Sequence, residues 1–481
     1  METKDLKLIQ MRKAACAIDL GDGSERGEYV NQDYILNVLG RPMRAISLMT
    51  SYYPLDKEFP KRAHDAFSDK EISFQWDYPY DDYETYKGGL VGLKHLEPFN
   101  WMRDVRRHGQ DVCLTITIDT NVSDDHIKAI AKDLSTFGRV MLRVNHEASG
   151  DWFSFTKRAT YEQIGHFFAH VCDIFHEEAK NVKLILCLNG LSGEGDGKIE
   201  MEKEFTPAIK ACDIYSMDRY MALHWGWPYD VATKETKQYY REKVKNIYEM
   251  GKACAKRFET VSGEKRPMVL SEMNADGDVT GPYEQCDMLK EFCRLLKEDK
   301  EDWLEGFTFY QFRDRGRLGL EWEDPNNSEV GIKLPLLDTF KEIINDEYFM
   351  PEIKEYSEQT LPAVLRWGGA EDSDGIGLPV RFENEPVFCE AYFRDELKDA
   401  NLMMELNSRW FYKAPGVEFV DFMPAFFEGR KVAGETLTLK IFAPPATGEN
   451  DESQGDDWQI NYYYKLEKLP EIRVEFEAVT K

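Results

Sequence analysis

The strongest constraint on the fold is an alternation of short apolar segments with amphipathic segments between about residues 44 and 340. The amphipathic segments place apolar side chains at helical spacing, as in Tyr161–Glu178 and Lys237–Phe258. The apolar segments predict eight strands: Ala45–Met49, Ile72–Trp76, Val112–Ile118, Val140–Val144, Val182–Leu188, Asp213–Met217, Pro267–Leu270 and Gly306–Phe312. Strands interleaved with helices in this number are typical of a (β/α)8 TIM barrel, an α/β fold.

A doubly wound parallel sheet is the competing architecture. It is less favoured because no Gly-x-Gly-x-x-Gly motif follows any predicted strand. Polar residues also follow most of the predicted strands, whereas a doubly wound sheet gathers them at one crevice.

The pattern changes after about Pro351. Four segments read as antiparallel strands separated by connections rich in Gly, Pro and Asp: Val387–Phe393, Thr436–Phe442, Trp458–Leu466 and Ile472–Ala478. The sequence therefore predicts a catalytic barrel in residues 1–350, with a short N-terminal lead, and an all-β, sandwich-like accessory domain in residues 351–481.

The charge of the chain argues against several classes of partner. Its 61 Lys and Arg residues face 88 Asp and Glu residues, a formal net charge of −27. Such a chain repels phosphate backbones and anionic membranes, so we expect neither nucleic acid nor membrane as a partner.

The sequence indicates neither a membrane span nor a secretory signal. No apolar run approaches the ~18 residues that span a bilayer, and residues 1–13 lack the apolar core of a secretory signal. We therefore expect a cytoplasmic protein, or a secreted one if the sequence is a processed form.

The nine cysteines are scattered, and several lie inside apolar runs, as Cys187 does. Buried free thiols are the expected state. No Cys-x-x-Cys pair or Cys/His ligand spacing is present, so we expect no structural metal site.

Polar residues that follow two of the apolar strands are the best candidates for chemistry. The fourth predicted strand runs into Arg143, His146 and Glu147, and the seventh runs into Glu272. Burying such groups without partners costs a few kcal/mol each, and a functional site at the carboxyl ends of the barrel strands would explain the cost.

Carboxylates on strands four and seven would face each other across the barrel mouth. Retaining glycosidases need one carboxyl as general acid/base and a second, ionised one as nucleophile, ~5–5.5 Å apart. Arg143, and Tyr220 after the sixth strand, are candidates to hold Glu272 ionised, and His146 could orient a carboxyl or a substrate hydroxyl.

The run Arg143-x-x-His146-Glu147-x-x-Gly150-x-Trp152 resembles the Arg-x-x-His-Glu-x-x-Gly-x-Trp signature of glycoside hydrolase family 26. The resemblance implies a retaining barrel glycosidase in which Glu147 is the acid/base and Glu272 the nucleophile. Members of the family usually carry a Trp on strand eight, whereas residues 307–312 here contain only Phe and Tyr as aromatics.

Four tryptophans are further candidates for binding substrate. Trp152, Trp225 and Trp227 lie in predicted loops, where stacking on sugar faces and ordinary loop packing are equally good explanations. Trp76 ends the second predicted strand.

Together these features predict an endo-acting retaining β-glycanase whose partner is a poly- or oligosaccharide. The family resemblance favours β-mannan, with β-xylan or β-glucan next, and no metal or organic cofactor is expected. The alternative is a barrel that binds glycan without cleaving it and carries the sandwich domain as an interaction module. A transglycosylase would share the covalent intermediate, and the sequence carries no signal for an oligomeric state.

Overall fold

A computed structural model of the protein describes residues 6–22, 29–58, 83–150, 159–188, 198–222, 237–314, 316–327, 329–427, 430–449, 458 and 460–477. All structural statements below refer to these residues.

Eight parallel strands close into a barrel between residues 17 and 309. The first strand pairs with both the second and the eighth, as Leu20 with Ile46 and Ile18 with Phe307, and these pairings complete the ring. Barrel strands 1 to 8 are Ala17–Gly21, Ala45–Tyr52, Asp111–Ile118, Val140–Val144, Val182–Cys187, Ile214–Ala222, Met268–Ala275 and Gly306–Phe309. A two-residue strand, Glu84–Thr85, pairs with barrel strand 2.

Helices surround the barrel and bury an apolar face against it. Tyr161–Glu178 is an example, with Ile164, Phe168 and Phe175 buried and a capping box between Thr160 and Gln163 at its start. The helices of this part are Gln32–Leu39, Phe99–Arg107, Asp124–Leu134, Tyr161–Glu178, Lys198–Ala211, Lys237–Ser262, Gly277–Thr280, Pro282–Glu298 and Pro335–Ile344. None of the helices within the described ranges has the length and apolar composition needed to cross a membrane.

The barrel interior is apolar at its amino end and polar towards its carboxyl end. One buried apolar cluster contains Ala45, Cys113, Met141, Ile185, Ile214 and Val269, one residue from each of six strands. Because side chains alternate along a strand, the residues two positions further on face the same interior. Four of these are Ser47, Thr115, Arg143 and Ser216, all buried. Polar side chains therefore fill the half of the barrel that leads to its carboxyl mouth.

The fold class predicted from the sequence is confirmed. Seven of the eight predicted strands form barrel strands 2 to 8, and the remaining one, Ile72–Trp76, lies outside the described residues. Barrel strand 1 is Ala17–Gly21, which the sequence pattern did not indicate because Asp19 interrupts its apolar run. Asp19 is buried and accepts a hydrogen bond from Arg44 Nε at 2.8 Å, so its charge is compensated inside the fold.

Antiparallel strands form the C-terminal part of the molecule. The larger sheet contains Leu6–Arg12, Glu352–Gln359, Ala363–Gly369, Asp372–Arg381, Leu402–Leu406, Arg409–Lys413, Thr436–Phe442 and Tyr462–Leu466. The smaller sheet contains Pro386–Tyr392, Phe419–Asp421 and Glu471–Phe476. Both sheets contribute to one buried cluster, in which Leu378 and Met404 of the larger sheet join Cys389 and Ala391 of the smaller. The two sheets therefore pack face to face, as in a sandwich.

The N-terminal strand Leu6–Arg12 belongs to the larger C-terminal sheet by hydrogen bonding. It lies between Glu352–Gln359 and Asp372–Arg381 and is antiparallel to both. Its residue Ile9 is fully buried. The predicted boundary near residue 350 stays a prediction, and any cut there separates this strand from its sheet partners.

All nine cysteines are buried and free. The prediction of buried free thiols is confirmed.

Candidate active site

A tight turn after barrel strand 4 carries Glu147. Asn145 and Glu147 both have φ of 50°, a left-handed conformation that is costly for residues other than glycine and is frequent at functional sites. Neighbouring strands fix the turn, because the Asn145 amide donates to the Ile116 carbonyl and the Ala148 amide to the Cys187 carbonyl, both at 3.1 Å. Glu147 is left half-buried.

A β-bulge sets which residues of barrel strand 7 face the interior. Met217 of strand 6 lies beside Leu270, but the next residue, Asp218, lies beside Glu272, so Ser271 is the extra residue. The bulge brings Glu272 onto the inner face together with Asp218.

Arg143 lies at the centre of the site and is fully buried. Its Nη2 donates to Glu272 Oε1 at 2.8 Å, its Nη1 to Asp218 Oδ2 at 3.2 Å, and its Nε to Thr115 Oγ1 at 2.8 Å. Burial alone would lower the pKa of Arg143, but the charges of Asp218 and Glu272 outweigh it and raise the pKa well above its usual value. One permanent cation therefore serves two carboxyl groups.

Tyr220 completes the hydrogen bonding of Glu272. Its hydroxyl donates to Glu272 Oε2 at 2.7 Å, and its ring meets the Tyr310 ring edge to face with centroids 5.8 Å apart. Each oxygen of Glu272 thus accepts one hydrogen bond, and the residue keeps 8% of its surface exposed. Donors on both oxygens fix the orientation of the carboxyl group.

Asp218 is a third carboxyl group of the site, which the sequence analysis did not identify. Burial and the charges of Glu272 and Glu147 raise its pKa well above the usual value, although Arg143 opposes them. Asp218 and Tyr220 are two positions apart on barrel strand 6, so their side chains face the same side of the strand. This period-two pattern is the signal in the sequence that could have identified Asp218.

Glu147 is close enough to the buried groups Asp218 and Cys187 to affect their pKa values. It contributes to the raised pKa of Asp218, after burial and Glu272, and to the raised pKa of the Cys187 thiol, after burial and Asp218. The carboxyl group of Glu147 therefore belongs to the same electrostatic site as Asp218.

His146 is neutral in this environment. Burial, and then the neighbouring charge of Arg143, lower the pKa of His146 well below its usual value. Its Nε2 lies 3.4 Å from the hydroxyl of Tyr83, which is also buried. A neutral imidazole can either donate or accept a hydrogen bond, depending on its tautomer.

The structure brings three of the predicted site residues, Arg143, Tyr220 and Glu272, into direct contact. Glu147 and His146 lie on the adjoining turn. Four other predicted residues lie outside the described part of the chain: Trp76, Trp152, Trp225 and Trp227.

Across the ranges given above, the structure contains no group of three or more His, Cys, Asp or Glu side chains arranged to hold a metal ion.

No protein-family model and no curated protein matches the sequence. Similar solved structures include the catalytic domain of the Bacillus sp. JAMB-750 family 26 endo-beta-1,4-mannanase, 12% identical over 70% of this chain and 87% of that chain, with a TM-score of 0.41. A family 51 alpha-L-arabinofuranosidase from Bifidobacterium longum is 10% identical over 92% of this chain and 97% of its own, with a TM-score of 0.43. A family 39 glycoside hydrolase from Bacteroides cellulosilyticus WH2 is 12% identical over 90% and 81%, also with a TM-score of 0.43.

These identities and TM-scores are low, so the function has to be argued from the side chains themselves. The fold and site define a (β/α)8-barrel protein whose carboxyl mouth holds a buried arginine between two carboxyl groups, with Glu147 on the adjoining turn.

Proposed function

We propose that the protein is a retaining glycoside hydrolase acting on a β-glycan. The observation that carries the proposal is Glu272, whose two oxygens accept hydrogen bonds from Arg143 and Tyr220 at the barrel mouth. A carboxylate held in one orientation by two donors, yet still reachable from solvent, suits a nucleophile.

In the first step Glu272 attacks the anomeric carbon of the sugar while Glu147 gives its proton to the glycosidic oxygen. A bond forms between that carbon and a Glu272 oxygen, and the bond from the carbon to the leaving-group oxygen breaks. The leaving sugar departs with the proton from Glu147.

In the second step Glu147, now ionised, takes a proton from water. The resulting hydroxide equivalent attacks the anomeric carbon and releases Glu272 as a carboxylate. Two inversions at one carbon give net retention. The neutral His146 would serve as a hydrogen-bond partner for a substrate hydroxyl throughout.

The substrate class proposed is a neutral β-glycan, with β-mannan favoured and β-xylan or β-glucan next. The preference for β-mannan rests on the resemblance of residues 143–152 to the family 26 signature. The net charge of −27 is compatible with an uncharged polysaccharide, which needs no electrostatic steering.

The test is a panel of mannan, xylan, β-glucan and their oligosaccharides, assayed with the wild type, Glu147→Gln and Glu272→Gln. Glu178→Gln, an exposed carboxyl at the end of the helix Tyr161–Glu178, is the matched control. We expect both site variants to lose at least ~100-fold in kcat on the polysaccharide, and the control to retain full activity.

The two roles can be separated with an activated aryl glycoside, whose leaving group needs little protonation. Glu147→Gln should then recover much of the first step, whereas Glu272→Gln should not. If neither variant lowers turnover by ~100-fold, the assignment is wrong. Glycan binding without turnover by the wild type would instead favour the non-catalytic alternative.

A further inference from the structure

A short hairpin after barrel strand 8 has no part in the contacts described above. Its strands, Glu321–Glu323 and Gly331–Lys333, pair antiparallel with Trp322 opposite Ile332. The hairpin belongs to the connection between barrel strand 8 and the helix Pro335–Ile344, and it therefore lies at the carboxyl end of the barrel, as the candidate site does.

Buried contacts anchor the hairpin through Glu321. Arg313 Nη2 lies 3.2 Å from Glu321 Oε2, and both side chains are buried. The Tyr34 hydroxyl donates to Glu321 Oε1 at 2.9 Å, and the Arg313 guanidinium lies over the Tyr34 ring at 5.1 Å. Gly331 leaves the space for this carboxyl group, since a Cβ there would overlap it. The hairpin is thus held in one position.

The same connection is tied to the residues that follow Glu272. The side-chain amide of Asn274, two residues further along barrel strand 7, donates to the Tyr310 carbonyl at 2.6 Å. The Gly277 amide donates to the Arg317 carbonyl at 3.1 Å. The connection that carries the hairpin is therefore fastened beside the proposed nucleophile.

The outer face of this anchored hairpin is apolar. Trp322 is 41% exposed, its partner Ile332 is 41% exposed, and Val330 is 47% exposed. A large aromatic ring kept in water on a rigid support is a common feature of ligand-binding surfaces.

We propose that Trp322 is a stacking platform for a sugar unit of the glycan chain that lies away from the bond being cleaved. This inference rests on the proposed function of the neighbouring site. The indole ring would pack against the apolar CH face of a sugar, with Ile332 extending the contact.

A neutral glycan suits this surface better than other occupants. The hairpin is continuous with the mouth where the chain would be cleaved, and its acidic surroundings in a chain of net charge −27 disfavour anionic partners. A second copy of this chain would bring an equally acidic surface to the contact.

The test measures KM and kcat of Trp322→Ala on the polysaccharide and on a short aryl glycoside. We expect KM for the polysaccharide to rise about tenfold, with a much smaller rise for the short substrate and little change in kcat. Trp322→Phe, which keeps an aromatic ring, should restore most of the loss. Phe419→Ala removes an aromatic of similar exposure from the small C-terminal sheet and is the matched control.

Three outcomes would overturn the inference. The KM for the polysaccharide could be unchanged, the KM values for long and short substrates could rise equally, or Trp322→Ala could convert a dimer into a monomer in sedimentation analysis. The last result would identify a second copy as the occupant.

Failure of the proposed function has a different signature. If the wild type cleaves no glycan, migration in gels containing soluble mannan, xylan or β-glucan replaces the kinetic readout. Retardation of the wild type that is lost in Trp322→Ala supports the platform, and no retardation overturns it.

Discussion

At the scale of single residues, Arg143 is the central charged group of the candidate site. One guanidinium contacts Asp218 and Glu272, and both partners are buried. Burial and repulsion by the neighbouring carboxyl groups favour the protonated form of Asp218.

The variant Asp218→Asn tests, through the pH dependence of stability, whether Asp218 is protonated in the folded protein. Burial and neighbouring negative charges raise the pKa of Asp218 in the folded state, whereas in the unfolded chain the group ionises near ~3.9. The unfolded state therefore releases a proton that the folded state keeps, and the contribution of Asp218 to the stability of the wild type falls as pH rises above ~4.

Asparagine does not titrate, so the free energy of unfolding of Asp218→Asn should rise relative to the wild type between pH 4 and 7. The gain is about 1.4 kcal/mol per pH unit while Asp218 stays protonated. Urea denaturation of both proteins across this range measures the difference. A difference that is flat, or falls with pH, would show that Asp218 is ionised in the fold.

Several site residues can be predicted from the sequence because they follow apolar strands directly. Arg143, His146, Glu147 and Glu272 stand out in this way, and the resemblance of residues 143–152 to a known signature adds roles to two of them. Asp218 is harder to find because its contact with Arg143, on another strand, depends on strand register, which local sequence does not determine.

At the scale of secondary-structure elements, the bulge between barrel strands 6 and 7 positions the site. In a strand without a bulge, the alternation that places Val269 inside would place Ser271 inside and Glu272 outside. The bulge lets both face the interior, where the Ser271 hydroxyl contacts that of Ser216. The turn after barrel strand 4 positions Glu147 through its two left-handed residues, Asn145 and Glu147 itself.

Elements with a strong periodic pattern were predictable, and elements without one were not. The helix Tyr161–Glu178 has the predicted bounds, and Lys237–Ser262 starts where predicted. The strand Glu352–Gln359 was not predicted because it is polar and mostly exposed at the edge of its sheet. Its pairing with Leu6–Arg12 joins residues about 350 positions apart, a contact that no local pattern encodes.

At the scale of the whole molecule, the barrel and the C-terminal sheets are joined by buried polar groups. His108, at the end of the helix Phe99–Arg107, is an example: its Nε2 lies 3.0 Å from Asp33 Oδ1, its Nδ1 lies 3.2 Å from Asp104 Oδ1, and its ring lies 3.8 Å from the Tyr412 ring of the larger sheet. The imidazole thus links two barrel helices to the sheet.

The imidazole of His108 makes the stability of the folded protein depend on pH in the alkaline range. Burial lowers the pKa of His108, but hydrogen bonds with Asp104 and Asp33 outweigh it and raise the pKa to about 9. The unfolded value is ~6.5, so the stabilisation is complete below pH ~6.5 and is lost as pH rises through about 9.

We expect the wild type to lose up to about 3 kcal/mol of unfolding free energy between pH 6.5 and 9.5 through this group. His108→Gln should be less stable than the wild type at pH 6.5, and this difference should shrink as pH rises to 9.5, because only the wild type loses the contribution of His108. His95→Gln, at an exposed histidine, is the control and should follow the wild type. A difference between wild type and His108→Gln that stays constant over this interval would contradict the assignment.

The central claim is that Glu272 forms a covalent bond with the sugar, and it can be tested by trapping that intermediate. A glycoside with fluorine at carbon 2 and a good leaving group slows the second step more than the first, so the glycosyl-enzyme accumulates. Peptide mapping by mass spectrometry should find one sugar attached to the peptide that contains Glu272. Attachment to another residue, or turnover of the natural substrate with inversion at the anomeric carbon, would contradict the claim.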